Sequence, residues 1–89
     1  MQSFVINGRF KILESIGHGS FGEVYEALDT ETNEVIAVKF ERVYTRAPQL
    51  PFEASIYKLL QGAVNIPRFI AFTTQHGYHA LAMEKLGPS

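Results

Sequence analysis

The chain has 89 residues, 46% of them apolar and 19% charged, with a formal net charge of -1. That length and balance fit one small folded domain and exclude an intrinsically disordered chain. The near-neutral charge excludes a general nucleic-acid or polybasic membrane binder. There is no cysteine, so disulfides, thiol nucleophiles and cysteine-ligated metals are excluded as well. The opening MQSFVINGRFK lacks the long apolar run of a signal peptide, and no stretch approaches a membrane span, so a cytoplasmic or nuclear location is expected. The sole aspartate is Asp29.

Residues 1–9 read as a short, polar, loosely held lead-in. From Phe10 to Ile16 the chain alternates, with Phe10, Ile12, Glu14 and Ile16 on one side, which predicts a strand. Gly17-His18-Gly19-Ser20-Phe21-Gly22 interrupts it, and alternation resumes over Glu23–Leu28. The polar run 29–34 predicts a second hairpin connection, and the β-branched stretch Val35–Phe40 a third strand. Pro48 and Pro51 then bracket a helix start. Helical spacing from Phe52 to Gln61, with Gly62 just beyond, predicts one helix. Ile66-Pro67 marks an extended connector. Phe69–Thr74 and Tyr78–Met83 predict two further strands joined at His76-Gly77. The expected architecture is α+β: a five-stranded antiparallel sheet with one helix.

Gly17-x-Gly19-x-x-Gly22 fits the pattern G-x-G-x-x-G, a weak signal alone. A dinucleotide-binding turn requires a helix after the last glycine, whereas Glu23-Val24-Tyr25 continues as a strand. Strand, glycine loop, strand, with Val24 two residues past Gly22, is instead the context of a hairpin that covers nucleotide phosphates. A glycine-rich hairpin of no chemical consequence is the plain alternative.

Lys39 adds weight to the phosphate reading. Period-2 geometry puts Ala37 and Lys39 on one strand face, a small residue for a flat ring beside a cation for phosphates. An exposed edge charge is the simpler reading of a lone strand lysine. On the helix, Glu53, Ile56, Tyr57 and Leu60 share one face. A carboxylate turned toward a sheet is costly unless a cation meets it, and Lys39 is the natural partner. His18, His76 and His79 lack the clustering of a metal site, and no metal ligand set is expected.

These residues resemble the N-terminal lobe of a eukaryotic protein kinase, and within that group the casein kinase one family. The resemblance rests on the loop from Gly17 to Gly22, Ala37-Val38-Lys39, Pro48-Gln49-Leu50, Glu53, Ile56-Tyr57-Lys58, Gln61-Gly62, Ile66-Pro67 and Leu86-Gly87-Pro88-Ser89. It covers residues 10–89 as an ATP-binding lobe that reaches the hinge. It implies that Ile16 and Val24 roof the adenine, that Ala37 lines it and that Met83 is the gatekeeper. It implies a hinge of Glu84, Lys85 and Leu86, with Ser20 and Phe21 at the tip of the phosphate-covering loop formed with Gly17, Gly19 and Gly22. Lys39, paired with Glu53, would direct the α- and β-phosphates. Two positions depart from the family's pattern: Lys85 stands where an apolar residue is expected, and Ala63 follows Gly62 where a second glycine is favoured.

The implied function is the ATP-binding lobe of a serine/threonine kinase that transfers the γ-phosphate of ATP to protein hydroxyls, with Mg²⁺ in the complete enzyme. The H-R-D and D-F-G segments that supply the catalytic and metal-binding aspartates are not in these 89 residues. The chain alone is therefore expected to be inactive, to bind ATP weakly and to hold no metal. The alternatives are a non-catalytic relic acting as a protein-interaction module, and a nucleotide-independent α+β binding domain. Apolar Ile16, Val24, Ala37, Met83 and Leu86 around the cleft lead to an expectation of self-association, most simply a homodimer, through that face.

Overall fold

A computed structural model of the chain describes residues 4–19 and 22–85. The elements in chain order are β1 (Phe4–Ile6), β2 (Phe10–Gly19), β3 (Gly22–Asp29), β4 (Glu34–Arg42), α1 (Leu50–Leu59), β5 (Phe69–Gln75) and β6 (Tyr78–Met83). They form one sheet in the order β1-β2-β3-β4-β6-β5, every neighbouring pair antiparallel. The α+β class and antiparallel sheet agree with the reading of the sequence.

The described residues hold six strands where alternation predicts five. The extra strand is β1, from the segment read as a loose lead-in. Phe4 pairs with Ile12 and Ile6 with Phe10, and Ile6 is 1% exposed. Asn7 and Gly8 both adopt positive φ, 58° and 62°, and the Arg9 amide closes their turn on the Ile6 carbonyl at 3.0 Å. The Asn-Gly dipeptide carried that signal in the sequence. The Asn7 amide also donates to Gln75 Oε1 at 2.8 Å. The sheet therefore curls far enough to bring the first hairpin to the end of β5.

Two layers of packing follow from alternation along the strands. Ile6, Phe10, Ala27, Ile36, Val38, Phe40, Ala80 and Ala82 fill the inside of the curl. On the other face, Leu81 packs with Leu50 and Ala54 of α1, with Tyr57, Phe69, Phe72 and Met83 around them. In β2 the uniform alternation fails. The register with β3 slips between Ile12 and Ser15 and again before Gly17, so Ile12 stays with the inner core. Glu14 and Ile16 turn instead toward the cavity on the helix side. Bulges of this kind re-aim side chains without ending a strand.

The helix spans Leu50–Leu59, two residues earlier than its spacing predicts. Gln49 at the N-cap makes no side-chain cap. The capping carboxylate comes from β4, where Glu41 accepts hydrogen bonds from the Gln49 amide at 2.8 Å and the Leu50 amide at 3.2 Å. Glu41 is only 7% exposed, and these amides, with the positive helix end, offset its desolvation. At the other end Gln61 acts as a staple. Its Nε2 donates to the Tyr57 and Pro67 carbonyls, and its Oε1 accepts from the Phe69 amide at 2.9 Å.

Asp29 closes the β3–β4 turn. It is 1% exposed and grips Arg9 through two 2.8 Å hydrogen bonds. The Arg9 guanidinium holds the Asp29 carboxyl down at about 2. The chain's only aspartate thus serves as a structural anchor.

Gly22 has φ +141°, and a Cβ there would collide with the Phe40 carbonyl oxygen, whereas one at Gly17 would meet nothing within 4 Å. Gly22→Ala is expected to lower unfolding free energy in urea by at least about 2 kcal/mol, while Gly17→Ala changes it by about 0.5 kcal/mol or less. Equal effects would contradict this packing.

Candidate functional site

The site is built on one face of β4. Ala37, Lys39 and Glu41 alternate with the core residues Ile36, Val38 and Phe40, so all three face the helix side. Pairing fixes their neighbours: Ala37 lies between Glu26 of β3 and Met83 of β6, and Lys39 between Val24 and Leu81. Val24 is in turn opposite Gly17. Lys39 therefore occupies the end of the face nearest the glycine hairpin, and Ala37 the end nearest residues 84 and 85.

Lys39 Nζ donates to Glu53 Oε1 at 2.9 Å. The side chains are 19% and 26% exposed, partly desolvated yet open to a further ligand. Glu53 is placed by the first turn of α1, which Glu41 caps. One strand thus holds the helix at its backbone end and again at Glu53.

Ile16, Val24, Ala37, Met83, Glu84 and Lys85 line one cavity of ≈ 790 Å³. Its lining mixes these apolar side chains with the charged Glu14, Glu26, Glu84 and Lys85, and its volume is within the size range of small-molecule sites. Lys39, two residues farther along β4, and its partner Glu53 on α1 are not part of that lining. Gly19 and Gly22 pair across the hairpin. Ser20, Phe21 and Leu86 lie outside the described residues.

Sequence reasoning missed several residues that shape this site. Glu41 follows Lys39 on the same strand face, and the missing Ser, Thr, Asp or Asn before the helix left a cap to be supplied. That combination was legible. Glu26 shares the face of Val24 and bonds Lys85 Nζ at 2.8 Å. Nothing local marks a partner so distant. Gln61 holds the connector whose Ile66 and Pro67 also line the cavity.

The opposite face of the sheet carries a second cavity of ≈ 710 Å³, lined in part by Phe4, Tyr25, Phe40 and Tyr78. Gly22 is the one predicted site residue in its lining among the described residues. Among the described residues, no group of three or more His, Cys, Asp or Glu is placed to hold a metal ion. His79 Nδ1 meets Thr74 Oγ1 at 2.9 Å, and its ring stacks on Phe72.

The family model described as protein kinase domain matches residues 10–88. The chain belongs to that family, and its curled antiparallel sheet with one helix is the architecture of the family's N-terminal lobe. Members of the family use ATP and act on protein substrates in general.

The Lys39–Glu53 geometry generates a direct expectation. Glu53→Gln should displace the Lys39 side-chain NMR resonances clearly more than Glu31→Gln does, at a stability cost of about 1 kcal/mol or less for so exposed a pair. Equal displacements would show that the two side chains do not pair in solution.

Proposed function

We propose that the chain is the ATP-gripping lobe of a protein serine/threonine kinase resembling the casein kinase one family. The observation that carries the reading is the Lys39–Glu53 pair at 2.9 Å, set at the glycine-hairpin end of a cleft whose walls are Ile16, Val24, Ala37 and Met83. These residues suit an adenine nucleotide. Ala37 leaves room for a flat ring between apolar side chains, and Lys39 is the cation toward which phosphates would be drawn. The Ser/Thr and casein kinase one assignments rest on the sequence resemblance, above all the helix text around Ile56-Tyr57-Lys58 and the closing Leu86-Gly87-Pro88-Ser89.

In this reading Ile16 and Val24 cover one face of the ring. Ala37 and Met83 form the inner wall, and the backbone of Glu84 and Leu86 meets the ring edge. Gly17, Gly19, Ser20, Phe21 and Gly22 cover the phosphates. Glu53 keeps Lys39 extended toward them and blocks its collapse onto another carboxylate. Bound ATP supplies the transferable γ-phosphoryl group. The aspartates that position an acceptor hydroxyl and hold metal in kinases are not in these 89 residues, and Asp29 is committed to Arg9. The lobe thus binds and orients, and transfer needs those groups from another polypeptide segment.

A second reading, a non-catalytic module that self-associates through the cleft face, is favoured by Ile16, which is 46% exposed there. Titrating the 89-residue chain with ATP and with adenosine, followed by amide and methyl NMR, separates the two. The nucleotide reading expects shifts at Ala37, Lys39 and Met83, with an ATP Kd of about 1 mM or weaker. It also expects ATP to bind more tightly than adenosine, a preference that Lys39→Met erases. No shift at those residues, with self-association in sedimentation, would favour the module; an ATP preference that survives Lys39→Met would overturn the role of Lys39.

A further inference from the structure

Lys85 is the hinge position that departs from the family's apolar pattern, and the structure places its charge where it has a task. Lys85 Nζ lies 2.8 Å from Glu26 Oε2, and the side chains are 18% and 27% exposed. The two residues are 59 positions apart in sequence, yet both line the same cavity as Ala37 and Met83. Glu26, Ala37 and Met83 form one row across β3, β4 and β6. Two strand spacings, about 10 Å, separate the ends of that row. A lysine just beyond Met83 that reaches Glu26 therefore bridges from the β6 end of that row to β3.

The other side of the same segment is tied as well. The Glu84 amide donates to the Arg68 carbonyl at 2.9 Å, the Arg68 amide donates to Glu84 Oε1, and the Arg68 guanidinium reaches Glu34 at 2.8 Å. Residues 84 and 85 leave the sheet after β6, so without such ties their distance from the cleft roof would be set by one strand end alone. Arg68 fixes the segment toward β5. Among the described residues, the Glu26–Lys85 pair is the side-chain contact that joins it to β3, the strand that carries Val24.

We propose that the Glu26–Lys85 ion pair is a strap from roof to hinge that sets the opening of the nucleotide slot, making both residues positioning residues for the adenine ring. The inference rests on the nucleotide reading for its consequence, but the strap itself is a property of the free protein. It explains why a charge is tolerated at the hinge: Lys85 is neutralised by a partner on the opposite wall of the same cavity, and the ring edge meets a closed ion pair in place of an apolar side chain. The pair is partly exposed, so its effect is bounded at about fivefold in an equilibrium.

The test uses Glu26→Leu, Lys85→Met and the charge-swapped double variant Glu26→Lys/Lys85→Glu in the whole chain. Hydrogen exchange of the Glu84 amide is measured without nucleotide, and the ATP Kd by NMR titration. Each single variant should speed Glu84 exchange and weaken ATP binding by about threefold to fivefold. Lys85→Met keeps an aliphatic stem, so its loss reports the charge. The swapped variant should return both readouts to within about twofold of the original. Unchanged Glu84 exchange in both single variants, or a swapped variant as impaired as the singles, overturns the strap. If the unsubstituted chain binds no ATP while Glu84 exchange responds and the swap restores it, the strap stands and the nucleotide reading fails.

Discussion

The helix-facing side of β4 is the constraint on which the rest of the lobe depends. Ala37, Lys39 and Glu41 share that side, and each does something different: Ala37 shapes a wall, Lys39 holds Glu53, and Glu41 caps the helix. A ten-residue helix is marginal alone in water. Only Leu50 and Ala54 of α1 are buried, worth about 2–3 kcal/mol together, most of it from Leu50. Apolar packing of that size leaves the helix orientation weakly specified. Two carboxylate contacts to one strand, at the first amides and one turn later, fix both its start and its rotation. Placing Lys39 and placing the helix are therefore one structural act.

That arrangement explains which parts of the fold could be read from the sequence. Strands with a buried inner face announce themselves by alternation, and β3 to β6 lie close to where alternation put them. Ala37, Lys39 and Glu53 were legible because strand and helix periods place them on facing sides, and because an inward carboxylate demands a cation. The helix start was misjudged by two residues: Pro51 in its first two positions marked it, but the cap is tertiary, since Glu41 lies on β4. The bulges in β2 were equally silent. They divide Phe10 and Ile12 from Glu14 and Ile16, which strict alternation had placed together.

The missed features differ in kind. The strand β1 is three residues long, too short for periodicity, but its Asn7-Gly8 turn was readable. Gln61 was identified as text shared with a family without its task of joining helix, connector and β5. The Glu26–Lys85 pair could not be found from spacing, because its partners are joined only by the sheet order. The two halves of the site thus have different origins. The end with Lys39 and Glu53 follows from local periods, and the end with Ala37 and Met83 from tertiary pairing around residues 84 and 85.

The central claim is that the Lys39 and Glu41 contacts from β4 set the start and rotation of α1, before any nucleotide arrives. The absence of cysteine allows nitroxide labels at two introduced sites, Val35 at the start of β4 and Ser55 on the outer side of α1, both exposed. Pulsed electron–electron distance measurement on the nucleotide-free chain should give one narrow distance, unchanged by ATP, that broadens when Lys39→Met and Glu41→Gln are combined. A broad or two-peaked distribution in the otherwise unsubstituted chain without nucleotide would mean that the helix is not held by β4, and would contradict the account.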